Sequence, residues 1–126
     1  MKKILIVDDN PELARSISEY VSGITDWQAT VAHSAERALE LFHQVQFDVI
    51  LSDIQMPGMD GLEFAEKLKE AFESAEIENA EWQRPLVILM TGTATDGVIE
   101  EAMALGVTAV LEKPFSPREL TALLES

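Results

Sequence analysis

The sequence contains no cysteine. Disulfides and thiolate metal sites are therefore excluded, and the chain fits a reducing, cytoplasmic setting. Basic residues are scarce. Nine Lys and Arg stand against 23 Asp and Glu, for a formal net charge of −14, and no Lys or Arg occurs between Arg84 and Lys113. Such a chain repels nucleic acid and anionic membranes, so direct binding to either is not expected. The surplus charge reads as a solvated acidic surface. Long apolar runs are also missing, and none approaches the roughly 18 residues of a membrane span. The N-terminal "MKKILIVDD" mimics a signal peptide only superficially. Its apolar run, Ile4–Val7, stops at two aspartates, which points to a strand.

What is present is one domain's worth of chain. The 126 residues are 47% hydrophobic, enough to bury a single core, so residues 1–126 are expected to form one domain. Apolar runs at Ile4–Val7, Trp27–Ala32, Val49–Leu51, Leu86–Met90 and Thr108–Leu111 read as strands. The first, third and fourth are near-continuous, as in strands covered on both faces. Helix-period stripes lie between them: Leu13, Ile17, Tyr20 and Val21, then Ala35, Ala38, Leu39 and Phe42, then Leu62, Ala65, Leu68 and Phe72. Caps mark the helix starts at Asn10-Pro11, Ser34, Asp60 with Glu63, Thr95-Asp96, and Ser116-Pro117 with Glu119. Gly106 suits a helix C-terminus. The acidic stretch Glu73–Gln83 is too long for an ordinary connection. There either the third helix continues or a surface loop forms. The order βαβαβαβαβα implies an α/β, doubly wound, five-stranded parallel sheet with helices on both faces.

The strand ends carry the chemistry. Asp8-Asp9 follow the first strand and Asp53 the third; Thr91 ends the fourth, and the fifth runs into Lys113-Pro114. In open parallel sheets ligands bind beyond the strands' carboxyl ends, near the switch in strand order. The order 2-1-3-4-5 would gather these residues in one cleft. Three carboxylates together need a cation, and an all-oxygen set suits Mg²⁺ (or Mn²⁺). Lys113 offers a point charge to a phosphoryl oxygen, and Thr91 offers a hydroxyl. A carboxylate nucleophile, a divalent cation, a lysine and a hydroxyl make a phosphoryl-transfer site.

The motifs "ILIVDDN", "DVILSDIQMPGMDG", "VILMTG" and "GVTAVLEKPF" resemble the receiver domain of two-component response regulators, from Lys3 to about Leu124. That resemblance implies roles for individual residues. Asp53 stands at the phospho-accepting position. Asp9 matches the direct Mg²⁺ ligand, Asp8 its neighbour acting through water, and Gln55 the position whose backbone carbonyl completes the metal site. Lys113 matches the lysine that contacts the phosphoryl group, and Thr91 the hydroxyl that turns toward it on activation. Gln55, Gly92 and Thr93 occupy positions that modulate the chemistry. Pro57 and Gly61 belong to the turn after the acceptor, and Lys113-Pro114 matches a cis peptide bond. The implied partners are a sensor histidine kinase or a histidine phosphotransfer protein, and a downstream effector domain or protein. The implied product is an acyl phosphate that hydrolyses slowly, on a signalling module and not a turnover enzyme.

The family commonly carries Tyr or Phe three residues before the lysine, and here Val110 stands there. An aromatic swing is thus replaced by core packing or by an altered output. That leaves a receiver-like interaction module as an alternative. An aspartyl-phosphate hydrolase is the other, but it wants an acid/base Asp two residues after the nucleophile, where this chain has Gln55. The fourth helix, "TDGVIEEAMALG", lacks the basic residues that would pair two receivers. His33 and His43 read as surface or helix-flank residues, and Met56, Met59, Met90 and Met103 mainly as core. Trp82 is expected to anchor the long connection.

Overall fold

Ile4, Leu5, Ile6 and Val7 are all fully buried, which requires a sheet covered on both faces. The computed structural model, which describes residues 2–24 and 26–125, has that sheet. Its elements run β1 (Lys2–Val7), α1 (Pro11–Ser22), β2 (Trp27–Ala32), α2 (Ala35–Gln44), β3 (Val49–Asp53), α3 (Gly61–Glu78), β4 (Leu86–Thr91), α4 (Asp96–Ala104), β5 (Ala109–Glu112) and α5 (Pro117–Leu124). The five strands are parallel, in the order β2-β1-β3-β4-β5. The expected doubly wound architecture is the one observed.

Alternation along the strands divides the core in two. Leu5, Val7, Ile50, Val87 and Leu89 face α2, α3 and α4, packing with Phe47, Phe64, Leu68 and Phe72. Ile4, Ile6, Val49, Leu51, Ile88, Met90 and Leu111 face α1 and α5, packing with Ile17, Val21, Leu120 and Leu124. All the expected N-caps form. Asn10, Ser34 and Thr95 accept from first-turn N–H groups, and Asp60–Glu63 and Ser116–Glu119 close capping boxes. Helix α4 ends in a Schellman motif: Gly106, at φ +84°, donates to the Met103 carbonyl, and Val107 donates to the Ala102 carbonyl.

Several expectations need correction. The third strand extends past Leu51 to include Asp53, and the fifth starts one residue later and ends at Glu112. Ladder hydrogen bonds ignore side-chain polarity, so polar residues continue a strand that hydropathy ends early. Tyr20 lies at the exposed edge of the α1 stripe, where its hydroxyl pairs with Thr121 on α5. Met103 is half exposed and not core, whereas Met56 and Met90 are buried. Phe64, absent from the expected α3 stripe, is fully buried. The acidic stretch resolves as continued helix to Glu78. Beyond it Trp82 packs against Phe42 and Phe72, and its Nε1–H donates to Gln46 Oε1 at 2.8 Å. Arg84 pairs with Glu76 at 2.6 Å and holds that carboxyl below its ordinary range. Trp82 thus fastens the connection at the amino ends of β3 and β4. Trp27 begins β2 at the same edge of the sheet.

Candidate functional site

The backbone ladder carries on past the strand ends and aims the residues that follow. Asp8 N–H bonds to the Ala32 carbonyl, Ile54 N–H to the Met90 carbonyl and Lys113 N–H to the Thr91 carbonyl, at 2.7–3.1 Å. Asp8, Asp53 and Lys113 continue the alternation of the α1/α5 face, whereas Thr91 continues that of the α2–α4 face. The first three therefore meet directly. Lys113 Nζ lies 3.2 Å from Asp53 Oδ2 and 3.6 Å from Asp8 Oδ2. Asp8 is fully buried, Asp53 nearly so, and Asp9 exposed. Each of the three carboxylates offers an oxygen within 4.8 Å of the others.

The electrostatics favour a cation. Burial pushes the Asp8 carboxyl above its ordinary value. The Asn10 N–H, 2.9 Å from Asp8 Oδ1, and the Lys113 ammonium oppose that rise, and Asp53 and Asp9 add to it. Asp8 Oδ2 is buried with no hydrogen-bond partner, and the Lys113 ammonium reaches it only at an ion-pair distance of 3.6 Å. A buried carboxylate oxygen left in that state is costly unless a positive charge answers it. The donor set is all oxygen, and with an orphaned buried acceptor it fits a hard divalent ion such as Mg²⁺.

The turn after β3 is built around Gly61. A Cβ there would sit 2.4 Å from the Asp53 carbonyl oxygen and 2.7 Å from Ile54 Cα. Only glycine lets the start of α3 press on the backbone of Asp53. Pro57 and Gly58, the latter at φ +75°, carry the exposed turn between them. Gln55 N–H points at Asp53 Oδ1, 3.3 Å away. Gly92 is exposed with open space where a Cβ would be, and Thr93 is exposed beside it. The Lys113–Pro114 peptide bond is cis.

Three features escaped the sequence reading. Gln55 grips Thr91 through its side-chain amide, at 3.0 Å from Nε2 and 3.3 Å from Oε1. His33, far from Asp8 in sequence, places Nδ1 3.1 Å from the Asp8 carbonyl oxygen. The ladder pairing of β1 with β2 is the signal that would have found it, since Val7 stands opposite Ala32. Ser52 turns its hydroxyl onto the neighbouring Asp53 carbonyl at 3.0 Å. Val110 is partly buried against the α2–α4 side of the core.

Known proteins share this fold. The chemotaxis protein CheY4 of Vibrio cholerae superposes with a TM-score of 0.83 at 28% identity, covering 99% of this chain and 97% of that one. The BeF3-activated N-terminal receiver domain of Klebsiella pneumoniae RstA gives 0.81 at 27% identity, covering 98% and 96%. The transcriptional regulatory protein CpxR of Escherichia coli strain K12 is 32% identical over 127 residues, which cover 100% of this chain and 49% of that protein. The chain spans about half the length of the curated relatives it matches. No described helix is long and apolar enough to cross a membrane. A family model of the response regulator receiver domain matches residues 4–125, and the chain belongs to that family, the receiver domains of two-component signalling.

Proposed function

We propose that this receiver accepts a phosphoryl group on Asp53 from a phosphohistidine of a sensor kinase or phosphotransfer protein. The observation that carries the reading is the Lys113 ammonium held between Asp53 and Asp8, with three carboxylates converging beneath it. An Asp53 oxygen attacks phosphorus as the P–N bond to the donor imidazole breaks, leaving an acyl phosphate on Asp53 and a neutral histidine. The Lys113 ammonium is already in place to pair with an oxygen of the arriving group. Asp9, Asp53 and the Gln55 backbone carbonyl would hold Mg²⁺ or Mn²⁺, with Asp8 acting through water. The bound ion would supply charge neutralisation as the phosphoryl group moves. Thr91 sits on the adjoining strand as the hydroxyl that can meet the new phosphoryl oxygen. Its displacement would carry the loop after β4 with it and bias a partner-binding surface for a downstream effector. The open space at Gly92 supports access of water to the acyl phosphate, and slow hydrolysis would reset the state.

The test uses the purified chain with Mg²⁺ and acetyl phosphate. Intact-mass spectrometry should show one added phosphoryl group, and Asp53→Asn should abolish it. No adduct, or an adduct that survives the substitution, would overturn the reading. Continuous phosphate release from varied monoesters would point to a hydrolase instead.

A further inference from the structure

The Thr91 hydroxyl is already fully committed. A hydroxyl has one proton to give and two lone pairs to offer. Here Gln55 Nε2 donates to Oγ1 at 3.0 Å and the Thr93 N–H donates at 3.1 Å. The single Thr91 proton goes to Gln55 Oε1 at 3.3 Å or to the Thr93 carbonyl at 3.4 Å. Both polar atoms of the Gln55 amide lie within reach of Oγ1, so the grip exists in either amide orientation. Among the described residues no hydrogen bond joins Thr91 to Asp53. Thr91 is fully buried, and Gln55 is exposed. The pair is thus a surface side chain reaching in to hold a buried one.

We propose that Gln55 is a positioning residue whose side-chain amide holds the Thr91 hydroxyl away from Asp53 and must release it before that hydroxyl can serve a phosphoryl group. This rests on the phospho-acceptor reading above. Alternation along the strands puts Thr91 on the opposite face parity from Asp53 and Lys113, so once Gln55 lets go only the Thr93 backbone, at 3.1 and 3.4 Å, still holds the hydroxyl on its own side. Gln55, two residues past the acceptor, can reach it because the chain leaves β3 at Asp53. The same side chain that tethers Thr91 is anchored on a residue whose N–H already contacts the acceptor carboxylate at 3.3 Å. Capture of a phosphoryl group then works against this grip. A ligand that needs the released state binds more weakly by the fraction of molecules that are released.

The test is a double-mutant cycle on beryllofluoride affinity, measured by calorimetry in Mg²⁺. Gln55→Met keeps the reach and removes the amide. It should tighten binding about fivefold, the change that the loss of one ordinary hydrogen bond produces. In a Thr91→Ala background the same substitution should change nothing, because nothing is left to hold. In the free protein, Gln55→Met should also broaden the rotamer distribution of Thr91, read from its methyl ¹³C shift without any ligand. Unchanged or weaker affinity in Gln55→Met, an unchanged Thr91 methyl shift, or equal tightening in the Thr91→Ala background would each overturn the latch. Failure of the wild type to bind beryllofluoride, with the Thr91 methyl shift still responding to Gln55→Met, would overturn the phospho-acceptor reading and leave the contact itself standing.

Discussion

Asp8 is the least comfortable of the described residues. It is fully buried, one of its oxygens has no hydrogen-bond donor, and two other carboxylates share its surroundings. Its carboxyl is raised above the ordinary 3.8 by burial first of all. The folded state therefore holds the Asp8 proton more tightly than the unfolded chain does. Stability from that proton is fully present below 3.8 and is lost as pH rises through the raised folded value. Asp8→Asn removes the loss. In EDTA the variant should be more stable than wild type at neutral pH, by on the order of 1 kcal/mol, with the difference shrinking toward about pH 4. Urea melts across that range check it, and a wild type that is the more stable at neutral pH would sink the argument. Gly61 makes the opposite case. Gly61→Ala drives a methyl into the Asp53 carbonyl and Ile54 Cα, both backbone atoms that cannot swing aside. The expected cost is roughly 1–3 kcal/mol, seen as a lower urea midpoint. An unchanged midpoint would show that α3 moves freely against β3.

At the scale of elements, α1 and α5 flank an apolar cleft of about 550 Å³ that opens beside Lys113 and Pro114, with Leu13, Ile17, Phe115 and Leu120 among its walls. Because Lys113 belongs to both cleft and site, a protein phosphodonor that delivers to Asp53 would pass over this surface. Leu13→Glu should slow transfer from a cognate kinase at least tenfold, about 1.4 kcal/mol for one charge set in an apolar contact. Labelling by acetyl phosphate should stay as it was, and equal slowing with both donors would argue against the cleft as a docking surface. The elements themselves were largely legible in the sequence. Caps such as Asn10-Pro11 and Asp60 with Glu63 are local, so a short window contains the whole cause. Asp8, Asp53 and Lys113 stood out because charge at the tip of a buried strand is chemically conspicuous. Their convergence followed from strand order and alternation. Gln55 on Thr91 and His33 on the Asp8 carbonyl were hidden because they are pairings between neighbouring strand ends. Nothing local marks such contacts. The α3 extension was ambiguous because its acidic residues suit helix and loop equally until Trp82 is seen resting on Phe42 and Phe72.

For the molecule as a whole, a net charge of −14 means that self-repulsion is spread over the surface and concentrated at one point. The two contributions separate experimentally. Sodium chloride should raise the melting temperature by screening alone. Magnesium chloride at the same ionic strength should raise it further, by about 1.4 kcal/mol of added stability at a concentration tenfold above its Kd. Asp9→Asn should erase the magnesium-specific part and keep the sodium part. Equal effects of the two salts on the wild type would show that the carboxylate cluster holds no ion. The optical probe for these melts is already built in. Both indoles, Trp27 and Trp82, stand at the amino edge of the sheet, while Asp53 closes the carboxyl edge, a five-residue strand or roughly 15 Å away. Intrinsic fluorescence of this receiver should accordingly gauge unfolding and stay blind to the phosphoryl capture proposed for Asp53, and a dye or tag attached near Trp82 would ride on the protein without hearing that signal.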